Sequence, residues 1–182
     1  MKTFLELPTT LATKSQQLLL GVITRNQRYK IAEVIAAMAL NGAFSIVTGS
    51  ERIPSYEVTL LLDDDVCDLR AIMDRIHLRR AFTCYQLVDI LKSTPPIPEP
   101  LLILDFLHPF YEDIPVERRI HRFEQCIEQL ERLSASRPIG IIIQDKEGPD
   151  YSLFSPDLER IADEIFQTEN EVEAVSQPRL FN

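Results

Sequence analysis

Hydrophobic positions along this chain come as short solid runs separated by longer periodic stretches. Gln16 to Val22 is a continuous apolar run, the pattern of a parallel strand buried on both faces. From Arg28 to Leu40, the residues Ile31, Val34, Ile35, Met38 and Ala39 repeat at helical spacing, and Asn41-Gly42 stops that helix. Ala43 to Thr48 predicts a second strand, ending in Gly49-Ser50. Pro54 suits the first turn of a helix reaching Leu62, and "DDDVCDLR" opens another, with Asp63 to Asp65 near its positive end. Ile76, Leu78, Arg80 and Phe82 then alternate with Arg75, His77, Arg79 and Ala81, which predicts a strand, and Thr83 caps the helix after it. Leu101 to Phe106 reads as a third buried strand. Val116 to Ser136 is the longest helix, with Ile120, Phe123, Ile127, Leu130 and Leu133 on one face. Pro138 introduces the strand "IGIIIQ", "DKEGPDYS" reads as a polar loop, Ser155 starts a helix, and a last strand spans Glu164 to Thr168.

Strands alternating with helices predict an α/β fold: a doubly wound, mostly parallel sheet with helices on both faces and right-handed crossovers. The chain divides into an N-terminal extension (1–15), an α/β domain (16–168) and a polar C-terminal tail (169–182). "TPPIPEP" (Thr94 to Pro100) is a stiff connector, too short to separate domains. Ligands in such sheets sit at the carboxyl ends of strands, so the residues just after each strand carry the functional question.

The first of those places is informative for what it lacks. A strand, a tight turn and an amphipathic helix are the scaffold of G-x-x-x-x-G-K-[ST]. In that motif glycines let backbone amides approach phosphates, Lys meets the outer phosphates and the hydroxyl holds Mg²⁺. Here the turn runs from Gly21 to Lys30, with one glycine and with Ile31 where the hydroxyl should follow Lys30. Arg25, Arg28 and Lys30 either form a solvated basic turn or hold an anion at the helix N-terminus by side-chain charge.

Two longer segments carry a resemblance. "RIHLRRAFTCYQLVDIL" looks like the strand–helix segment R-I-x-x-x-R-A-F-T-x-x-Q-L of archaeal and eukaryotic recombinase paralogues. "LLILDFLHPFYEDIPVERRIHRFEQCIEQLERLSASRPIGIII" is similar to their Walker B strand, loop, long helix and next strand. The chain from Gln16 to Thr168 thus resembles the RecA superfamily core, including recombinases, their paralogues and KaiC-like ATPases. The resemblance implies a RecA-like P-loop fold with Asp105 at the Walker B aspartate, Glu51 of "TGSER" near the catalytic glutamate, and Gln144 where the family keeps a γ-phosphate sensor. The Gly-Lys-Thr triplet does not carry over, so these three residues read as vestigial. No cofactor is then expected, ATP and Mg²⁺ included, and Asp105 alone is a poor metal ligand.

Three readings follow. The first is a non-catalytic paralogue, a pseudo-ATPase acting as a protein-interaction subunit in DNA repair or recombination, partnered by an active RecA-family ATPase or by its own copies. The second is a DNA-binding module using Arg75, Arg79 and Arg80; the third is a residual ATPase with Glu51 as base and Asp105 for Mg²⁺. A net charge of −9, from 28 acidic and 19 basic residues, opposes binding to DNA unless the arginines gather locally. Arg118, Arg119 and Arg122 form a further cluster, read first as a solvated helix face.

The remaining chemistry is sparse. Cys67, Cys84 and Cys126 are widely spaced without a C-x-x-C pair, as expected of reduced, buried thiols in a cytoplasmic protein. The N-terminus has Lys2 but no apolar run and carries Glu6, so no signal peptide is expected, nor any membrane span. Asp105 and His108 are close in sequence but have no serine or cysteine nucleophile beside them. Pro109, Phe110 and Tyr111 belong either to a partner-binding loop or to a loop packed on the sheet.

Overall fold

Each strand at the centre of the sheet buries side chains on both faces, which is why those segments read as solid apolar runs. A computed structural model describes residues 2–13, 16–24, 27, 29–50, 53–63, 68–111, 114–144 and 149–168. The strands are β1 (Lys2–Thr3), β2 (Leu18–Ile23), β3 (Phe44–Thr48), β4 (Ile76–Arg80), β5 (Leu101–Leu104), β6 (Ile139–Gln144) and β7 (Glu164–Gln167). Among the described residues they form one parallel sheet in the order β1-β7-β2-β6-β5-β3-β4. The helices are α1 (Leu7–Thr13), α2 (Tyr29–Asn41), α3 (Ser55–Asp63), α4 (Leu69–Met73), α5 (Cys84–Ser93), α6 (Val116–Ser134) and α7 (Pro149–Ile161).

The core has two layers. On one face Leu19, Ile23, Ile46 and Leu104 pack with residues of α1 to α4; on the other Leu20, Val47, Ile103 and Ile141 pack with α5, α6 and α7. Crossovers that move toward β4 use the first face, and those that move toward β1 use the second. That division is what crossovers of a single hand produce. The chain is therefore a doubly wound α/β protein, consistent with a RecA-like core. No helix among the described residues is long and apolar enough to cross a membrane.

Several expectations need correction. Residues 2–13 are not an extension: β1 pairs with β7, and Phe4, Leu7 and Leu11 are fully buried core residues. They sit over two glycines. A Cβ on Gly21 would lie 2.8 Å from Phe4 Cε2, and one on Gly140 would lie 2.8 Å from Leu11 Cδ1. The loop expected at "DKEGPDYS" ends early, because α7 begins at Pro149 and not at Ser155. Pro149 fits a first helical turn, and buried Phe154 ties that stretch to the core, while Pro156 falls inside the helix. The short helix α4 is capped by Asp68, whose carboxylate accepts from the Ala71 amide at 3.0 Å; Asp63 instead ends α3, and Asp64 and Asp65 lie outside the described residues. The expected cap on α5 is present, with Thr83 Oγ1 accepting from the Gln86 amide at 3.2 Å.

Candidate functional site

In this topology the carboxyl ends of β2 and β6 form one switch point, since α2 leaves over one face and α7 over the other, and those of β3 and β5 form a second, with α3 and α6 on opposite faces. The sequence motif placed its phosphate turn at the first, but Gly21 is not in a turn. It lies inside β2, paired with Ile142 and Phe166, and its missing side chain makes room for Phe4. The strand continues to Ile23, so the connection to α2 contains no glycine at all. Arg25 and Arg28 lie outside the described residues. Lys30 is in the first turn of α2, its ammonium 5.9 Å from the ring centre of Tyr29. Gln27, which sequence reasoning passed over, is buried, and its backbone N–H donates to the Thr24 carbonyl at 3.1 Å. The Thr24 amide in turn donates to Thr168 Oγ1 at 3.4 Å, tying this connection to the end of β7.

Two strands away, Asp105 directly follows β5, and it is here that the backbone departs from the expected strand through Phe106. Asp105 adopts φ 50°, a left-handed conformation uncommon for a residue with a side chain. The turn is fixed from three sides. The His108 amide donates to the Asp105 carbonyl at 2.9 Å, and the Gly49 amide donates to Leu104 at 2.9 Å. A Cβ on Gly49 would meet the Asp105 carbonyl at 2.5 Å and the Pro109 ring at 2.6 Å, so Gly49 is required for this close approach of β3 and β5. Asp105→Asn should keep stability within about 0.5 kcal/mol, because Asn tolerates the left-handed region. Asp105→Val should cost about 1–3 kcal/mol through its branched Cβ. Urea unfolding midpoints distinguish the two.

The loop after Asp105 is packed down, which decides between the two readings of "HPFYEDIP". Pro109 and Phe110 are buried, Tyr111 is half-buried and His108 is exposed. Phe110 stacks with Phe106, Phe123 and Phe154 at centroid distances of 5.8, 5.4 and 5.4 Å. Arg119 is buried beneath this loop and donates to the Phe110 carbonyl at 3.1 Å. Asp105, Leu107, His108, Tyr111 and Gln144 line a hollow of about 10 Å³, close to the size of one water molecule. The structure thus brings Asp105 and Gln144 together; Glu51 lies outside the described residues. A larger hollow of about 340 Å³ lies at the opposite end of the sheet, where Leu11, Met38, Phe44 and Pro100 are among its walls.

Among the described residues the arginine clusters do not form one basic surface. Arg79 follows His77 on the face of β4 shared with Val47, whereas Arg80 follows Ile76 and Leu78 on the other face. Arg75 donates to the Ala39 carbonyl of α2 at 3.4 Å. In the second cluster Arg119 is buried, Arg122 lies 4.4 Å from the Tyr85 ring centre, and Arg118 is exposed. Cys84 on α5 and Cys126 on α6 are both buried; burial, then the nearby Cys84, pushes the Cys126 thiol up. Cys67 lies outside the described residues, among which no group of three or more His, Cys, Asp or Glu residues could hold a metal ion. A scan against protein-family models finds no match to this chain, and no curated protein matches it at a significant level.

Proposed function

We propose that this chain is a RecA-fold pseudo-ATPase, a protein-interaction subunit of a DNA repair or recombination assembly. The observation that carries the reading is the position of Gly21. The one glycine of the phosphate-turn segment is spent inside β2 beneath the Phe4 ring. The connection that follows then has only side-chain-bearing residues where close amide approach to phosphates needs glycine. Asp105 and Gln144 converge on a water-sized hollow, which supports their being remnants of a site and not its working parts.

The repair or recombination context rests on the resemblance of the β4–α5 and β5–α6 segments to recombinase paralogues. Interaction through sheet edges and strand-end loops suits a chain whose catalytic turn is lost. Direct DNA binding finds less support, since Arg79 and Arg80 project from opposite faces of β4 and the net charge is −9. Equilibrium dialysis against ATP–Mg²⁺ tests the reading. Binding is expected to be weaker than ~100 µM, about −5.5 kcal/mol, and tighter binding would count against it. Co-purification from the native cell should bring down an active ATPase of the same superfamily.

A further inference from the structure

The hollow of about 340 Å³, at the end of the sheet opposite Asp105, lies where strands begin and helices stop. Phe44 opens β3, while Pro100 and Pro138 directly precede β5 and β6. Leu11 comes from the last turn of α1 and Met38 from the last turn of α2. With Phe44 they are buried core residues that give the hollow apolar walls. Its volume falls at the lower end of the ~300–1,000 Å³ usual for small-ligand sites. The rim is open: Ala12 and Ala43 are exposed, and a Cβ on Gly42 would meet nothing within 4 Å.

Hydrogen-bond donors are scarce here. Four of the twelve lining residues, Pro8, Pro98, Pro100 and Pro138, have a carbonyl but no backbone N–H. The donors beside them are spent inside the protein. The Gly42 N–H donates to the Met38 carbonyl at 3.2 Å and the Phe44 N–H to the Arg75 carbonyl at 3.1 Å. The Asn41 side-chain amide donates to the Ala37 carbonyl at 2.9 Å, and the Thr13 hydroxyl to the Thr9 carbonyl at 2.8 Å.

The end of α2 adds a field of one sign. The last four carbonyls of a helix have no partner within it and carry partial negative charge. Arg75, which does not line the hollow, reaches the Ala39 carbonyl at 3.4 Å from the β4 side. Neither α1 nor α2 has a basic residue in its last turn, the usual complement to such an end. Among the described residues no charged side chain lines the hollow. We infer that the hollow binds a small organic cation, its apolar body against Leu11, Met38 and Phe44 and its ammonium group at the C-terminal end of α2. The net charge of −9 draws in the same class of ligand. The site lies at the other end of the sheet from the nucleotide question, and either reading can fail alone.

Titration of the isotope-labelled full chain with 2-phenylethylammonium, and separately with 3-phenylpropionate, tests it. The ammonium should give saturable shifts at the amides of Ala12, Thr13, Gly42 and Ala43, with a dissociation constant of ~1 mM or tighter. The carboxylate, of similar shape and opposite charge, should bind at least about tenfold more weakly. Asn41→Lys supplies the missing cation from the chain itself. It should weaken ammonium binding at least about tenfold without lowering the melting temperature, since lysine suits a helix C-terminus. Ala43→Phe, which fills the rim, should abolish the shifts. Equal binding of the two probes, no saturable shift at these amides, or binding unchanged by Asn41→Lys would each overturn the inference.

Discussion

Phe123→Ala is expected to lower stability by about 3–5 kcal/mol, the range for truncating a fully packed aromatic, and the melting temperature by about 6–20 °C. Phe123 is central to its cluster, with ring centroids 6.1, 5.4 and 4.7 Å from Phe106, Phe110 and Phe154. Phe106 and Phe110 come from the loop after β5, Phe123 from α6 and Phe154 from α7. Edge-to-face pairs contribute beyond their buried area, so the cavity removes several pair contacts together. The loss would be a large share of the ~5–15 kcal/mol that holds a typical domain. Part of it should appear locally. Amides of Phe110 and Tyr111, which donate to Leu107 and His108 at 3.0 and 3.2 Å, should exchange with solvent faster than those of β2 in the same variant. Uniform exchange across both regions would show that the cluster stabilises the whole domain and does not specifically hold the strand-end loop.

Arg137→Ala should be comparably damaging, by about 3–5 kcal/mol, although the acceptors of its guanidinium are backbone carbonyls. Arg137 is fully buried and donates to the Pro95 carbonyl at 3.3 Å and the Pro100 carbonyl at 3.2 Å. Both acceptors belong to the proline-rich connector, where missing N–H groups leave carbonyls in excess. Arg132 does similar work next to it, donating to Leu91 at 3.0 Å and Thr94 at 3.3 Å. Burial pulls the Arg137 pKa below its usual value, opposed by Glu99 nearby, so the connector's geometry depends on a cation held in an unfavourable place. Arg137→Met, which keeps the apolar stem, should recover part of the loss by filling space while leaving both carbonyls unpaired. Urea midpoints for the two variants separate packing from hydrogen bonding; equal losses would mean that the bonds alone matter.

Arg137 also shows where reading the sequence stops. An arginine before Pro138 looks like any loop cation; its burial depends on a connector some 40 residues earlier, a pairing that no local pattern encodes. The central strands were legible because both faces are covered, leaving solid apolar runs in the sequence. The cap at Thr83 was legible because capping is local chemistry. The start of α7 was not, since Pro149 and the polar residues before Phe154 look like a loop until the aromatic cluster claims Phe154.

At the candidate site the difficulty was ambiguity of residue type. A glycine that admits a phosphate and a glycine that admits a phenyl ring are the same letter, and only the placement of Phe4 distinguishes them at position 21. Asp105 was found from its place after an apolar strand, but its left-handed backbone and the close approach of Gly49 arise from packing between β3 and β5. The arginines at 79 and 80 looked like one patch because adjacent letters seem adjacent in space, whereas a strand sends them to opposite faces.

The most direct measurement is a titration of the isotope-labelled full chain with an ATP analogue and Mg²⁺, following backbone amide resonances from Ile23 to Ile31. Loss of the phosphate turn predicts no saturable shift at these amides at ligand concentrations up to about 1 mM, where binding would be worth only about −4 kcal/mol. Saturable shifts confined to that stretch, with a dissociation constant tighter than ~100 µM, would mean that the main chain still grips the phosphates and would contradict the pseudo-ATPase assignment.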